Sequence, residues 1–251
     1  PSDKKVGGAF YSRFNEFRIP RVFSTYLGSI TSVLQQGHEL GHAFHYWKMR
    51  DLPMIETEFP MTLTETASTF NEAVIRRVLL EEAEGAERFK MLWQDVRSAG
   101  NFLVNTMVRM DFELAFLEER RRGVVPAGRC CELMREVWTR WYGDDVTPDT
   151  WLWAHKLHYY KTDQFIYNYP YAVGYLMSLA LMREWEARGE GFYDFYVAML
   201  RDTGRMTVDE IIRRHFGADA ADPAFWEDAM QSARRSTEAL GALIEARGDE
   251  A

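Results

Sequence analysis

Only two cysteines occur among 251 residues, Cys130 and Cys131, and they are neighbours. Adjacent cysteines bridge each other only with strain, so no disulfide framework is expected, and the chain reads as one of a reducing, cytoplasmic compartment. No run of about 18 or more apolar residues is present, which excludes a membrane-spanning helix from the expectations. Basic residues are in deficit: 30 Lys and Arg against 38 Asp and Glu leave a formal charge of −8. A nucleic-acid binder carries a basic face, so neither DNA nor RNA is an expected partner. There is no recognisable leader, repeat or low-complexity tract. The chain begins with Pro1 rather than a methionine, as expected of one that was processed, trimmed or cut from something longer.

What is present is enough for a sizeable core, since 47% of the residues are hydrophobic and 14% aromatic. We expect a single domain over 1–251. The stretches 8–14 and 20–27 are rich in aromatic and β-branched residues without a helical period, and predict a short β-hairpin joined through "NEFRIP". Beyond Gly28 three-and-four spacing takes over. Helices are predicted from Ser29 to Met49, from Thr62 or Thr64 to Glu82, and from Ala86 to Arg121 with a bend near Gly100. Further helices are predicted at about 128–142, 149–158, 170–188, 191–203, 207–215 and 223–246. The fold class is therefore mainly α, a multi-helix domain with a short β-hairpin at its N-terminus.

The first predicted helix carries "HELGHAFH", residues 38–45. Positions i and i+4 share a helix face, so His38 and His42 can turn two imidazoles towards one ion. Glu39 is rotated about 100° from His38, which suits it to a water on that ion rather than to the ion itself. This is the H-E-x-x-H arrangement of two zinc ligands and a general base. A catalytic zinc needs a third protein ligand and one open position. The longer pattern that continues to a third histidine is absent, because residue 48 is Lys. A carboxylate from the next helix is expected instead, and Glu65 is favoured. Glu65, Ser68 and Glu72 share one face by their spacing, and acidic groups on a packed face need a polar partner. Glu56 and Glu58, in the preceding loop, are second choices. His45 lies one turn beyond His42 and suits packing or support better than ligation. The bland alternative is that histidines in a helix core match the five-residue pattern by accident. A di-iron site would need a second E-x-x-H pair, and none is found.

A second polar cluster, "HKLHYYKTDQFIYNYPYAVGY" (155–175), holds two histidines and six tyrosines. Most of these tyrosines fit a half-buried amphipathic stretch. His158, Tyr171 and Tyr167 are the candidates for a cleft, where they could donate hydrogen bonds to the oxyanion formed when water attacks a carbonyl. Pro170 is expected to start a helix with Tyr171 in its first turn.

Taken in order, "KKVGGAF", "HELGHAFH", "TETASTFNEA" and "HYYKTDQFIYNYPYAVGYLMS" resemble the C-terminal catalytic portion of oligoendopeptidase F, among the thimet-oligopeptidase-like zinc metallopeptidases. The resemblance spans nearly the whole chain. It implies a zincin-like helical catalytic domain binding one Zn2+ through His38, His42 and Glu65, with Glu39 as catalytic glutamate. His158, Tyr167 and Tyr171 fall where the family keeps substrate- and transition-state-binding groups. It further implies hydrolysis of internal bonds in short peptides, in the cytoplasm, inside a channel whose other wall is an N-terminal region of the same enzyme. That region is missing from these residues. An inactive zinc-binding fragment, a helical interaction module and a zinc carboxypeptidase are the alternatives.

Overall fold

The structure is a computed structural model that describes residue 4, residues 7–161 and residues 166–248. Parts of the "KKVGGAF" and "HYYKTDQF" stretches lie outside the described residues. Two strands, β1 (Ala9–Phe14) and β2 (Ile19–Ser24), are followed by α1 (Ile30–Met49), α2 (Met61–Thr64), α3 (Thr66–Glu82) and α4 (Gly85–Ala99). Then come α5 (Thr106–Arg120), α6 (Ala127–Tyr142), α7 (Leu152–His155) and α8 (Tyr169–Arg188). The chain ends with α9 (Phe192–Asp202), α10 (Val208–Ile211), α11 (Pro223–Ala229) and α12 (Gln231–Gly248). The fold is mainly α with a short hairpin, as the patterning predicts. No helix among the described residues is long and apolar enough to cross a membrane.

The contacts resolve two compact units: residues 1–96 with 173–251, and residues 97–172. The boundaries fall inside α4 and α8.

In the first unit, β1 pairs antiparallel with β2, from Ala9 opposite Ser24 to Phe14 opposite Ile19. Alternation along β1 turns Tyr11 and Arg13 inwards and leaves Phe10 and Phe14 exposed. Arg13 reaches the Thr57 carbonyl at 3.0 Å and Glu58 Oε2 at 2.7 Å, which ties the hairpin to the loop before α2. α1 starts where Ser29 caps it: the side-chain oxygen accepts the backbone N–H of Ser32. Its buried residues include Leu34, Gly37, Gly41, His45 and Met49, the three-and-four spacing of a helix packed along one stripe. α3 opens with five buried residues, Thr66 to Phe70. These are small up to Phe70, which lets α3 approach α1 closely. A Cβ added to Gly41 would stand 2.5 Å from the Ala67 carbonyl oxygen.

The second unit is built on α5 and α6, whose facing residues Val108, Phe112, Leu133, Met134 and Val137 form its core. The bend expected near Gly100 is a π-helical stretch, Gly100–Asn105, between α4 and α5. Three expected helices are interrupted. The one at 149–158 stops after the single turn of α7, because Lys156 is extended (φ −81°, ψ 105°), and a 3-10 turn follows at Leu157–Tyr160. The one at 207–215 is α10 followed by a π turn, Ile212–Phe216. The one at 223–246 divides at Met230, whose N–H tightens back onto the Asp228 and Trp226 carbonyls.

Candidate metal centre

Three donor groups converge in the first unit. His42 Nε2 lies 3.2 Å from His38 Nε2, and Glu65 Oε2 lies 3.2 Å from His38 Nε2 and 3.6 Å from His42 Nε2. Ligands bound at 2.0–2.1 Å to a tetrahedral zinc stand roughly 3.3–3.4 Å from one another. The triangle therefore has the right edge length, and its donor set of two imidazoles and one carboxylate suits that ion. Among the described residues these three form the one such group.

Local structure explains the convergence. His38 and His42 are one turn apart on α1, and Glu65 sits at the joint between α2 and α3 with φ −88° and ψ −4°. The Ser68 hydroxyl shares its single proton between the Glu65 carbonyl (2.9 Å) and Glu65 Oε2 (3.0 Å), which helps to set the carboxylate's direction. Gly174 of α8 lies directly behind it: an added Cβ there would be 2.5 Å from Glu65 Cβ. Each imidazole is also held from its other side. His38 Nδ1 meets Glu72 Oε1 at 2.7 Å, and the His42 ring bonds the Thr64 backbone carbonyl. Glu72 in turn accepts from Arg76 Nη1 at 2.9 Å, and Arg76 Nε reaches Asp95 Oδ1 at 3.2 Å. Imidazoles that ligate metals are oriented in this way, by a carboxylate or a carbonyl on the second nitrogen.

The electrostatics match a site made for positive charge. Burial opposes charge on His38, but its bonds to Glu65 and Glu72 outweigh that and raise its pKa to about 10. Burial drives His42 the other way, to about 4, with the neighbouring His38 charge adding to the effect. Burial would raise Glu65, yet the hydrogen bond and charge of His38 prevail and lower it. Two carboxylates thus hold one cation against desolvation.

Glu39 is buried, 8% exposed. Burial raises its carboxyl pKa; the His38 charge and a bond from the Tyr11 backbone N–H pull against that. That N–H comes from β1, so the hairpin positions the carboxylate. The Tyr11 ring also stacks over His42 with centroids 5.8 Å apart.

The other candidates have partners of their own. His45 is fully buried, stacks on Phe59 at 4.2 Å and bonds Thr203 Oγ1 at 2.8 Å, which fastens α1 to α9. Glu58 is taken up by Arg13, and Glu56 lies 3.7 Å from Arg205. In the second unit His158, Tyr167 and Tyr171 do meet: His158 stacks on Tyr171 (5.4 Å, 8°) and stands edge-on to Tyr167 (4.9 Å, 82°). The patterning did not single out Tyr11, Arg76 or Gly174. Glycine with a helical neighbourhood is the only hint of Gly174, and nothing local marks the other two.

Similarity to known proteins extends over most of the chain. The Peptidase family M3 profile matches residues 27–232. Oligopeptidase PepF of Bacillus subtilis is 22% identical over 236 residues, covering 90% of this chain and 34% of that protein. Oligoendopeptidase F of Lactococcus lactis is 27% identical over 154 residues, 59% of this chain and 25% of its own length. The chain thus spans about a third or less of these relatives. Among solved structures, a Chlamydophila abortus protein assigned as a peptidase superposes with a TM-score of 0.77 at 23% identity, covering 94% of this chain and 40% of that one. Oligoendopeptidase-F from Enterococcus faecium gives a TM-score of 0.66 at 22% identity, covering 86% and 40%. With a family match over most of its length and a fold shared with these structures, the chain belongs to peptidase family M3.

Proposed function

We propose that the chain is the catalytic part of a zinc-dependent oligoendopeptidase that hydrolyses internal bonds of short peptides in the cytoplasm. The observation that carries this reading is the triangle of His38, His42 and Glu65 donor atoms, 3.2–3.6 Å on its edges, with Glu39 beside it. The residues fit a zinc ion, which when bound there would acidify a water towards a pKa of about 7 and polarise a peptide carbonyl. Glu39 takes the proton from the attacking water and returns it to the leaving amine. Its raised pKa makes it a stronger base than an exposed carboxylate. Tyr11 N–H keeps the accepting oxygen in place. His158, Tyr167 and Tyr171 are proposed to bind substrate, on the strength of the sequence resemblance.

The decisive experiment pairs metal analysis with cleavage of an internally quenched peptide. One zinc per chain, turnover abolished by a chelator and restored by zinc, and internal cleavage products would support the proposal. Absence of stoichiometric metal in protein purified without chelator would sink it. Release of single C-terminal residues would point to a carboxypeptidase. One observation favours a second reading: the chain covers only 34% of the Bacillus subtilis relative. Zinc without turnover would identify a metal-binding fragment that needs the remaining part.

The support behind His38 has its own expected outcome. Glu72→Ala frees the second nitrogen of His38 and leaves Arg76 with Asp95 alone. Zinc affinity, read by competition with a coloured chelator, is expected to fall about 10–100-fold. Unchanged affinity would mean that the 2.7 Å contact does not orient the ligand.

A further inference from the structure

The second unit contains a hydrogen-bond chain with only one consistent assignment of protons. Asn168, fully buried, lies between Arg109, Glu113 and His158. Arg109 can only donate, so the Asn168 atom 3.3 Å from its Nη1 must be the amide oxygen. Glu113 accepts, so the atom 3.1 Å from its Oε2 must be the amide nitrogen. The same amide oxygen faces His158 Nδ1 at 3.2 Å. An oxygen offers that nitrogen no proton, so Nδ1 must carry one itself. Arg109 is in turn locked by Thr106 Oγ1 at 2.8 Å and the Asn105 carbonyl at 3.3 Å, so the chain cannot simply reverse.

The charge on the ring follows from its surroundings. Burial lowers the His158 pKa to about 4, and Lys156, Arg109 and Lys161 add to the effect while the Asn168 bond opposes it. Tyr171 and Tyr167 cover its face and edge. Glu113 reaches it only through Asn168. The imidazole is therefore neutral near pH 7. With its proton on Nδ1, its Nε2 carries a lone pair. No described residue bonds Nε2, and the side chain is partly exposed.

We infer that Glu113, Asn168 and Arg109 form a positioning relay that holds His158 as the Nδ1–H tautomer, so that Nε2 accepts a hydrogen bond from an amide N–H of a peptide substrate. This rests on the peptidase reading above and alters one part of it. His158 was expected to donate to an oxyanion, which a neutral ring in this tautomer cannot do. The ring helps to hold the peptide through its backbone N–H, a group common to every residue except proline. Such a contact recognises extended peptide without reading side chains.

The test begins with the unmodified chain, labelled with 15N and 13C in histidine. The His158 signals are identified by their loss in His158→Gln. Signals of a neutral ring protonated on Nδ1 at pH 7 are the expected result; protonation on Nε2 would overturn the relay. This arm needs no turnover, so an inactive chain with the expected tautomer would count against the peptidase reading and leave the relay standing. Asn168→Leu removes the acceptor, and the tautomer is expected to become mixed while kcat/KM falls about 2–10-fold, the worth of one hydrogen bond, mainly through KM. Asn168→Asp still accepts from Nδ1–H and Arg109. Glu113, whose pKa burial already raises, takes up the proton that the amide N–H supplied. The negative charge thus moves from Glu113 to residue 168, beside His158, and raises the His158 pKa. The acid limb of kcat/KM should move to higher pH with it, because protonation removes the lone pair. If the NMR titration moves and the acid limb does not, the acceptor role is wrong.

Discussion

A Glu39→Gln chain is expected to keep one zinc per chain and to lose peptide turnover by about 10²–10⁴-fold. The substitution is close to isosteric, and its amide oxygen can still accept the Tyr11 N–H that now holds the carboxylate. It leaves the three donor atoms and the groups behind them untouched. What disappears is a base: an amide does not take up a proton near pH 7. The loss should therefore fall on kcat, with KM little changed, since Glu39 is assigned a task in the reacting step and none in holding the peptide. Metal content, kcat and KM on the same preparation decide the matter. Turnover at the parent rate would sink the assignment of Glu39 as base; loss of zinc would instead make it a structural support of the site.

Gly174→Ala should weaken zinc binding at the site and cost the fold part of its stability. In an exposed helix the same change stabilises by up to about 1 kcal/mol. Here the new methyl would meet Glu65 Cβ at 2.5 Å and the Glu65 carbonyl carbon at 2.9 Å, neither of which is the free end of a flexible side chain. The Thr69 hydroxyl shares its single proton between the Glu65 carbonyl (2.6 Å) and the Gly174 carbonyl (2.9 Å), so sliding the two segments apart breaks that bridge. Overpacking of this kind costs about 1–3 kcal/mol, which exceeds the gain in helix propensity. For a chain of this size each kcal/mol moves Tm by roughly 2–4 °C. The displaced Glu65 should also lower zinc affinity by at least about tenfold. Gly241 of α12 is the control, because a Cβ there would meet nothing within 4 Å. Equal Tm and equal zinc affinity for both variants would show that Gly174 is not a packing constraint.

The parts legible in the sequence were those governed by local periodicity. Ser29 and Met49 bracket the first helix as predicted, because a capping side chain and an apolar stripe are both written within a turn or two. The hairpin and the helices around α6 and α8 were readable for the same reason. That His38, His42 and Glu65 could share a focus followed from i, i+4 spacing and from a face shared with Ser68 and Glu72. Their convergence is geometric fact, while their duty as ligands is our proposal. Less legible was what depends on partners far along the chain. Tyr11 offers Glu39 a backbone N–H, which no side-chain pattern encodes. Asn168 looked like one polar residue in a tyrosine-rich run, because Arg109 and Glu113, more than fifty residues earlier, give it meaning. The helix expected at 149–158 failed at Lys156, where an extended backbone overrides an acceptable local propensity.

The close approach of α8 behind Glu65 has a consequence for the order in which this site can be built. The three donors and the Glu72 and Arg76 that steady them lie between residues 38 and 76, so bringing them together closes only a short loop of chain. Gly174 lies 105 residues beyond Thr69, the residue it bonds. Closing that longer loop adds entropy only logarithmically, but it cannot happen until the intervening helices have been made. The donors are thus neighbours early in the life of the chain, while the wall that fixes Glu65 arrives late. A cut between α3 and α8 would leave the ligands on one piece and their backing on the other.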